Sequence, residues 1–126
     1  METTETNLLG SIHMTQRVIS IIASQTAASV PEVAALDATI AETAARKVGR
    51  VNPAQGVDTT IDGIYADIAV RLLVRYNCRI PDMALAVQKK VKDAVEAMTG
   101  CRVHAVHVMV QDIVFPEKST EGIRHD

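Results

Sequence analysis

The spacing of apolar residues changes along the chain, and each change predicts a different element of secondary structure. Residues 7–14 alternate between two faces, which is the period of a strand. Over 15–29 the apolar residues recur every three or four positions, which predicts a helix that stops before Pro31. A thinner, alanine-rich stripe over 33–48 predicts a second, weaker helix with Gly49 as its C-cap.

The next segment reads as a β-hairpin. Residues 57–61 alternate between apolar and polar side chains, and the dipeptide Asp62-Gly63 follows them. This dipeptide is typical of a two-residue type I′ turn, which needs a positive φ at both central positions. With Asp62-Gly63 as the whole loop, the apolar residues of both strands share one face, and Asp58 lies opposite Asp67 on the other.

A strong amphipathic helix and a final strand complete the pattern. The helix opens at Ile80-Pro81 and ends before Gly100, and the strand covers about 103–114. The order β-α-(α)-β-β-α-β predicts an α+β fold. We expect a two-layer sandwich in which a small mixed sheet carries the helices mainly on one face.

Composition limits the size of the protein and the nature of its partners. The chain has 126 residues, 48% of them apolar, which predicts a single domain over 7–116 with flexible ends at 1–6 and 117–126. A net charge of −2 gives no basic field, and the chain has only three aromatic residues, so we expect no nucleic-acid partner. No apolar run approaches the ~20 residues that span a bilayer, so direct membrane insertion is not expected.

Cysteine and histidine positions give no sign of a metal or redox centre. The start of the chain is acidic, unlike a signal peptide, and two cysteines cannot form a disulfide framework, so we expect a cytoplasmic protein. Cys78 and Cys101 flank the strong helix at opposite ends. His104 and His107 are three residues apart on a strand, and simple alternation sends them to opposite faces. We therefore expect neither a metal site nor a cofactor.

The sheet face that points away from the helices has more apolar residues than a solvated face usually does. On the two long strands this face includes Tyr65, Leu73, Val103, Met109 and Ile113. Contiguous apolar surface rimmed by charge usually marks a contact site. We expect these residues to form an interaction surface for self-association into a homo-oligomer or for partner binding. The alternative is that the weak helix over 33–48 covers this face within the monomer.

Two sets of charged residues are candidates for chemistry. Arg71, Arg75 and Arg79 are spaced so that they could contact a phosphate or a carboxylate, although solvated salt bridges are the simpler interpretation. Asp58 and Asp67, facing each other across the hairpin, are the kind of pair that acid–base catalysis uses. No nucleophile accompanies this pair, and the chain contains no catalytic or phosphate-binding motif. We therefore predict that the protein is not an enzyme.

Residues 66–116 read ADIAVRLLVRYNCRIPDMALAVQKKVKDAVEAMTGCRVHAVHVMVQDIVFP. The informative positions are, in order, Asp67, Tyr76, Ile80-Pro81, Val87-Gln88, Ala94-Val95-Glu96, Met98-Thr99-Gly100 and Phe115-Pro116. This segment closely resembles the alkaline shock protein family, also called the general stress or envelope stress response family. The chain departs from the family pattern at Arg75, Asn77, Cys78 and Gln111-Asp112, which alters the surface charge where a partner would bind.

The resemblance implies a small, cytoplasmic, non-enzymatic protein of Gram-positive-type bacteria. It implies a stress-response scaffold or regulatory protein of cell-envelope homeostasis that self-associates and binds a membrane-anchored protein. Association with the membrane would then come through that partner. A second hypothesis is a regulator of fatty-acid or acetyl-CoA carboxylase metabolism that binds a protein or a small anionic ligand. The family brings no catalytic residue and no cofactor.

Overall fold

The computed structural model describes residues 2–37, 49 and 52–116. In chain order the elements are β1 (Glu2–Asn7), β2 (Gly10–Thr15), α1 (Gln16–Ala28), β3 (Val33–Leu36), β4 (Val57–Asp62), β5 (Tyr65–Arg75), α2 (Ile80–Thr99) and β6 (Arg102–Val114). The predicted α+β fold is confirmed. Both strong helices form within two residues of their expected bounds.

The long strand β5 is the centre of a four-stranded mixed sheet. Along one edge it pairs antiparallel with β4 through its first half and with β3 through its second half. Along the other edge it pairs with β6 in parallel over its whole length. Strands β1 and β2 form a separate antiparallel hairpin. The first residues of the chain, predicted as a flexible end over 1–6, thus contribute to β1, while the tail over 117–126 lies outside the described residues.

The core lies between one face of this sheet and the two helices. Every second residue of β5 from Ala66 to Val74 is fully buried, as the strand period requires. The helices contribute Ile19, Ile22, Ala23 and Ala27 from α1, and Met83, Val87, Val91 and Val95 from α2. A buried hydrogen bond of 2.7 Å between the hydroxyls of Ser20 and Thr59 ties α1 to β4. The core is therefore aliphatic, as the composition requires.

The hairpin of β4 and β5 forms in a different register from the predicted one. Its two-residue loop is Gly63-Ile64, one position later than expected, and Gly63 has φ +64. This matches the turn that takes glycine at its first central position. Because the register moves by two residues, the apolar residues keep their face, but Asp58 pairs with Ala69 rather than with Asp67. The predicted carboxylate pair is therefore wrong.

The weak helix predicted over 33–48 is wrong at its start, and 38–48 lie outside the described residues. Val33–Leu36 form β3 instead. Beyond the end of β4, the edge of β5 still presents main-chain groups that need partners, and this segment supplies them. The N–H of Asp37 donates to the carbonyl of Arg71 at 2.8 Å, and the N–H of Arg75 donates to that of Glu32 at 3.0 Å. Sheet pairing thus outweighs the helix propensity of the alanines.

Candidate interaction surface

The face of the sheet that points away from α1 and α2 is called the outer face here. It consists of the residues that alternate with the buried ones, together with their partners on neighbouring strands. Its central members are Ala35 of β3, Asp58 and Thr60 of β4, Tyr65, Asp67, Ala69, Arg71, Leu73 and Arg75 of β5, and Ala105, His107 and Met109 of β6. Both described helices pack on the opposite face, so the outer face is the open side of this part of the chain.

Apolar side chains are interleaved with charged ones on the outer face. Leu73 is half-buried in the middle of the sheet and pairs with Ala35 at its edge. Met109 is 40% exposed and pairs with Arg71. The small side chain of Ala69 lies between Asp58 and His107 across the sheet. The result is a surface on which apolar and charged side chains lie next to one another.

The charged groups of the outer face are held in specific pairs. The guanidinium of Arg71 bonds the carboxylate of Asp58, and only 15% of the Arg71 side chain is exposed. His104 Nδ1 lies 2.9 Å from the carboxylate of Asp67. The two aspartates proposed as an acid–base pair therefore have separate partners. Their positions give the outer face fixed charges, which suit recognition better than proton transfer.

Two irregularities in β6 change which residues reach the outer face. The register skips His104 and Gln111, so the alternation shifts twice along the strand. Val103 pairs with Ala66 in the core and is 5% exposed, which corrects its predicted place on the outer face. Ile113 pairs with Val74 and also lies on the helix side. Of the five residues predicted for the interaction surface, the outer face therefore holds Tyr65, Leu73 and Met109.

The first irregularity also corrects the predicted placement of the histidines. His107 pairs with Ala69 on the outer face, and His104 contacts Asp67 on the same face. They were expected on opposite faces. The two residues that the register skips, His104 and Gln111, are neither glycine nor proline, so no residue type marks these positions in the sequence.

The three arginines proposed as an anion contact each have a partner within the chain. Arg71 bonds Asp58, Nε of Arg75 donates to the carbonyl of Pro31 at 3.0 Å, and Nε of Arg79 lies 3.2 Å from Asp82. Arg75 and Arg79 line an open depression beyond the end of β5, together with Tyr76, Cys78, Asp82 and Met83. Arg71 is not among its lining residues. The structure therefore brings two of the three arginines to one place.

The side chains of residues 2–37 and 52–116 that could bind a metal ion are dispersed. No three His, Cys, Asp or Glu side chains there are placed to share an ion. Cys78 is half-buried and Cys101 is buried, and both are free thiols. His13 belongs to the β1–β2 hairpin, where its ring contacts the hydroxyls of Thr4 and Ser11.

Side chains of α2 bond the main chain of β6, a feature that the sequence reasoning missed. Glu96 accepts a hydrogen bond from the N–H of Val103 at 2.9 Å, and Nε2 of Gln88 donates to the carbonyl of Val106 at 3.0 Å. The bond from Val103 holds the pKa of Glu96 below its ordinary value, with a smaller contribution from Lys92. These contacts fasten the start of β6 to α2.

Two exposed apolar features also escaped the sequence reasoning. Leu8 and Leu9 form the tip of the β1–β2 hairpin and are almost fully exposed. At the other end of the domain, the rings of Tyr76 and Phe115 stack with centroids 4.9 Å apart. Helical and strand periodicity carries no information about a turn tip or about a contact between two loop residues.

Comparison with known proteins identifies the family. The model of the alkaline shock protein 23 family, described as having a cell envelope-related function, matches residues 4–115. The chain belongs to this family. The resemblance that the sequence carries over 66–116 is thereby confirmed and extends over nearly the whole chain. The uncharacterized protein YqhY of Bacillus subtilis (strain 168) is similar to this family member, with 30% identity over 115 residues that cover 90% of this chain and 84% of YqhY.

The solved structures to which this chain is similar include those of the MamM CTD. A manganese form has a TM-score of 0.48 at 13% identity, and covers 78% of this chain and 99% of that chain. A copper form has a TM-score of 0.49 at 13% identity, with 78% and 98% coverage. At these values the likeness supports no conclusion about the function of this alkaline shock protein family member.

Neither of the helices that the structure describes is long and apolar enough to cross a lipid bilayer.

Proposed function

We propose that this protein is a non-enzymatic scaffold or regulatory protein of the cell-envelope stress response. In this proposal it works at the cytoplasmic side of the membrane, where it self-associates and binds a membrane-anchored protein. The observation that carries the proposal is the outer face, where Leu73 and Met109 are accessible beside the fixed pair of Arg71 and Asp58. Membership of a family with a cell envelope-related function supplies the biological setting.

The composition of the outer face favours a protein as the partner. Interfaces of moderate affinity combine apolar contact area with polar groups whose hydrogen bonds fix the orientation. Here, Ala69 and Ala105 allow close approach of another surface, while Leu73 and Met109 provide larger apolar contacts. The charges of Asp58 and Arg71 would favour partners with a complementary pattern.

The placement of the acidic residues argues against catalysis at this surface. Asp58 is bonded to Arg71, and Asp67 to His104, so neither carboxylate faces the other. Catalytic carboxylates are usually held in a cleft, whereas both aspartates lie exposed on a sheet face. This arrangement supports the non-enzymatic interpretation of the outer face.

The experiment compares membrane association of two double variants in the source cell. L73K/M109K places cations in the apolar part of the outer face, and L85K/M98K makes the same changes at two exposed positions of α2. We expect L73K/M109K to leave the membrane fraction while L85K/M98K remains with it. Circular dichroism must show both variants folded. Retention of folded L73K/M109K in the membrane fraction at the wild-type level would overturn the assignment of the outer face.

A second function is regulation of lipid metabolism through a small anionic ligand. The depression that contains Arg75, Tyr76 and Arg79 favours it, because two guanidinium groups lie beside apolar surface there. Binding of an acyl-CoA should then raise the melting temperature of the wild type and not that of R75A/R79A. An unchanged melting temperature in both would remove this ligand hypothesis.

A further inference from the structure

The edge of β6 that faces away from β5 is capped at both ends and open between them. Gln88 and Glu96 bond this edge only as far as Val106. Near the other end, the carboxylate of Asp112 accepts the N–H of Ile113 at 2.8 Å. Among the residues that the structure describes, none bonds the main chain of 107–112 on this side. This stretch, called the open edge below, is about 20 Å long at the usual rise of a strand.

The identity of the exposed main-chain groups follows from the parallel ladder. Successive residues of a strand turn their N–H and C=O groups to opposite edges. The carbonyl of Val106 faces Gln88, away from β5, and the register is regular from Ala105 to Val110. Val108 and Val110 therefore present their N–H and C=O groups along the open edge. His107 and Met109 direct theirs towards β5.

The side chains of the open edge do not protect it. Natural edge strands are usually shielded by lysine, by proline or by an inward-pointing charge. Residues 107–111 contain none of these, the charged Asp112 stands at the end of the open edge, and Val108 and Val110 are only half-buried. The ends of the strand are capped by polar side chains, whereas the middle is hydrogen-bonding backbone beside apolar side chains. That combination is typical of a strand that pairs with another chain.

We propose that the open edge pairs antiparallel with the open edge of a second copy of this chain, about a two-fold axis at Met109. Each Val108 then lies opposite Val110 of the other copy, and such a pair exchanges both main-chain hydrogen bonds. The two sheets become one continuous sheet with a shared outer face. The inference rests on the self-association in the proposed function and assigns it to a surface.

Self-complementarity identifies the occupant as a second copy. About this axis, valine meets valine on the helix side, and the two Met109 side chains meet on the outer face. His107 lies beside Gln111 of the other copy, so no like charges are brought together. A two-fold axis places the same segment of both copies side by side in opposite directions, so the segment must be complementary to itself when reversed. The side chains that bond the main chain at Val106 and Ile113 also limit the pairing to the open edge of each copy.

The first test removes one hydrogen-bond donor from the open edge. V110P deletes an N–H that β5 does not use, and proline is tolerated on the free side of an edge strand. V110A shortens the same side chain but keeps the N–H, and is the matched control. Sedimentation velocity should show a dimeric wild type and V110A, and at least a ten-fold higher dimer Kd for V110P.

The second test uses charge at two exposed positions, so that it does not depend on the folding of V110P. H107K/Q111K places lysines beside each other across the axis, whereas H107K/Q111E places lysine beside glutamate. We expect H107K/Q111K to raise the dimer Kd at least ten-fold, and H107K/Q111E to stay within about three-fold of the wild type.

The third test is a disulfide across the axis. Residues in a non-hydrogen-bonded antiparallel pair have Cα atoms about 4.5 Å apart, within the range that a disulfide spans. Mild oxidation should therefore cross-link M109C into dimers, while Y65C, at the far end of the outer face, and the wild type stay monomeric on a denaturing gel.

The possible failures have different meanings. Dimers of unchanged Kd in V110P and H107K/Q111K would overturn the assignment of the open edge and leave self-association itself in place. A monomeric wild type at high concentration would overturn both the pairing and the self-association part of the proposed function. Membrane association would still be judged separately, by L73K alone, because Met109 lies on the proposed two-fold axis and Leu73 does not.

Discussion

The two faces of β5 differ in burial and in charge, and we propose that one serves stability and the other binding. Leu72 is fully buried against the helices, whereas its neighbour Leu73 is half-buried on the outer face beside Ala35. The buried face has no charged residue between Ala66 and Val74, but the outer face holds Asp67 and Arg71 over the same span. The helices complete the core on one side, whereas the side chains on the other side keep at least partial contact with solvent.

The largest expected effect separates the two adjacent leucines. Leu72→Ala leaves a cavity in the core and should lower the free energy of unfolding by about 2–5 kcal/mol. Leu73→Ala should lower it by less than about 1 kcal/mol, because its side chain keeps contact with solvent. Urea denaturation measures both. Equal losses would mean that the outer face is covered within the monomer, as the alternative interpretation of 33–48 required.

A smaller effect is expected where β3 and β4 meet the edge of β5. Gly56 has φ +79, and a Cβ there would lie 2.7 Å from Cβ of Leu36 and 3.2 Å from the carbonyl oxygen of Arg71. Gly56→Ala should therefore cost about 2–4 kcal/mol, combining backbone strain with overpacking. Gly63→Ala is the control, because it has φ +64 and no atom within 4 Å. It should cost only about 1 kcal/mol, from the backbone alone.

If Gly56→Ala and Gly63→Ala proved equally stable, the close approach of Gly56 to Leu36 would not hold in solution. The packing of β3 and β4 along the antiparallel edge of β5 would then be less tight than that of β6 along the parallel edge.

The smallest effect is a pH dependence at the junction of α2 and β6. The folded pKa of Glu96 is lowered, chiefly by the N–H of Val103, so its ionised form stabilises the fold. This contribution is complete above the unfolded value of about 4.3 and is lost as the pH falls through the lower folded pKa. Glu96→Gln should therefore be less stable than the wild type at neutral pH. The difference should shrink as the pH falls through the folded pKa of Glu96.

Thermal melts between pH 2 and 7 follow this difference, with Asp93→Asn, an exposed carboxylate on the same helix, as the control. A stability difference between Glu96→Gln and the wild type that did not shrink at low pH would contradict the assigned role of the Glu96 carboxylate.

Sequence periodicity predicted correctly the elements that bury one face at regular intervals. α1, β5 and α2 each bury one regular face, so the apolar spacing alone determines them. It failed at β3, where alanines with helix propensity pair with the free edge of β5. This pairing depends on residues distant in the chain, which local spacing cannot reveal.

The candidate site was partly predictable for the same reason. Tyr65, Leu73 and Met109 follow the regular alternation of their strands and lie where expected. Irregularities at His104 and Gln111 separate Val103 and Ile113 from the regular stretch 105–110, and each irregularity puts the residues on its far side on the opposite face. Neither His104 nor Gln111 has a partner on β5, and no single residue type signals such bulges.

Site-specific photo-cross-linking in living cells shows directly whether the outer face contacts another chain. A photo-reactive amino acid replaces Leu73 on the outer face or, as control, the exposed Leu85 on α2. We expect covalent adducts with another chain at position 73 and none above background at position 85. Equal adduct yields at both positions, or none at position 73 in the folded protein, would contradict the claim that the outer face is the interaction surface.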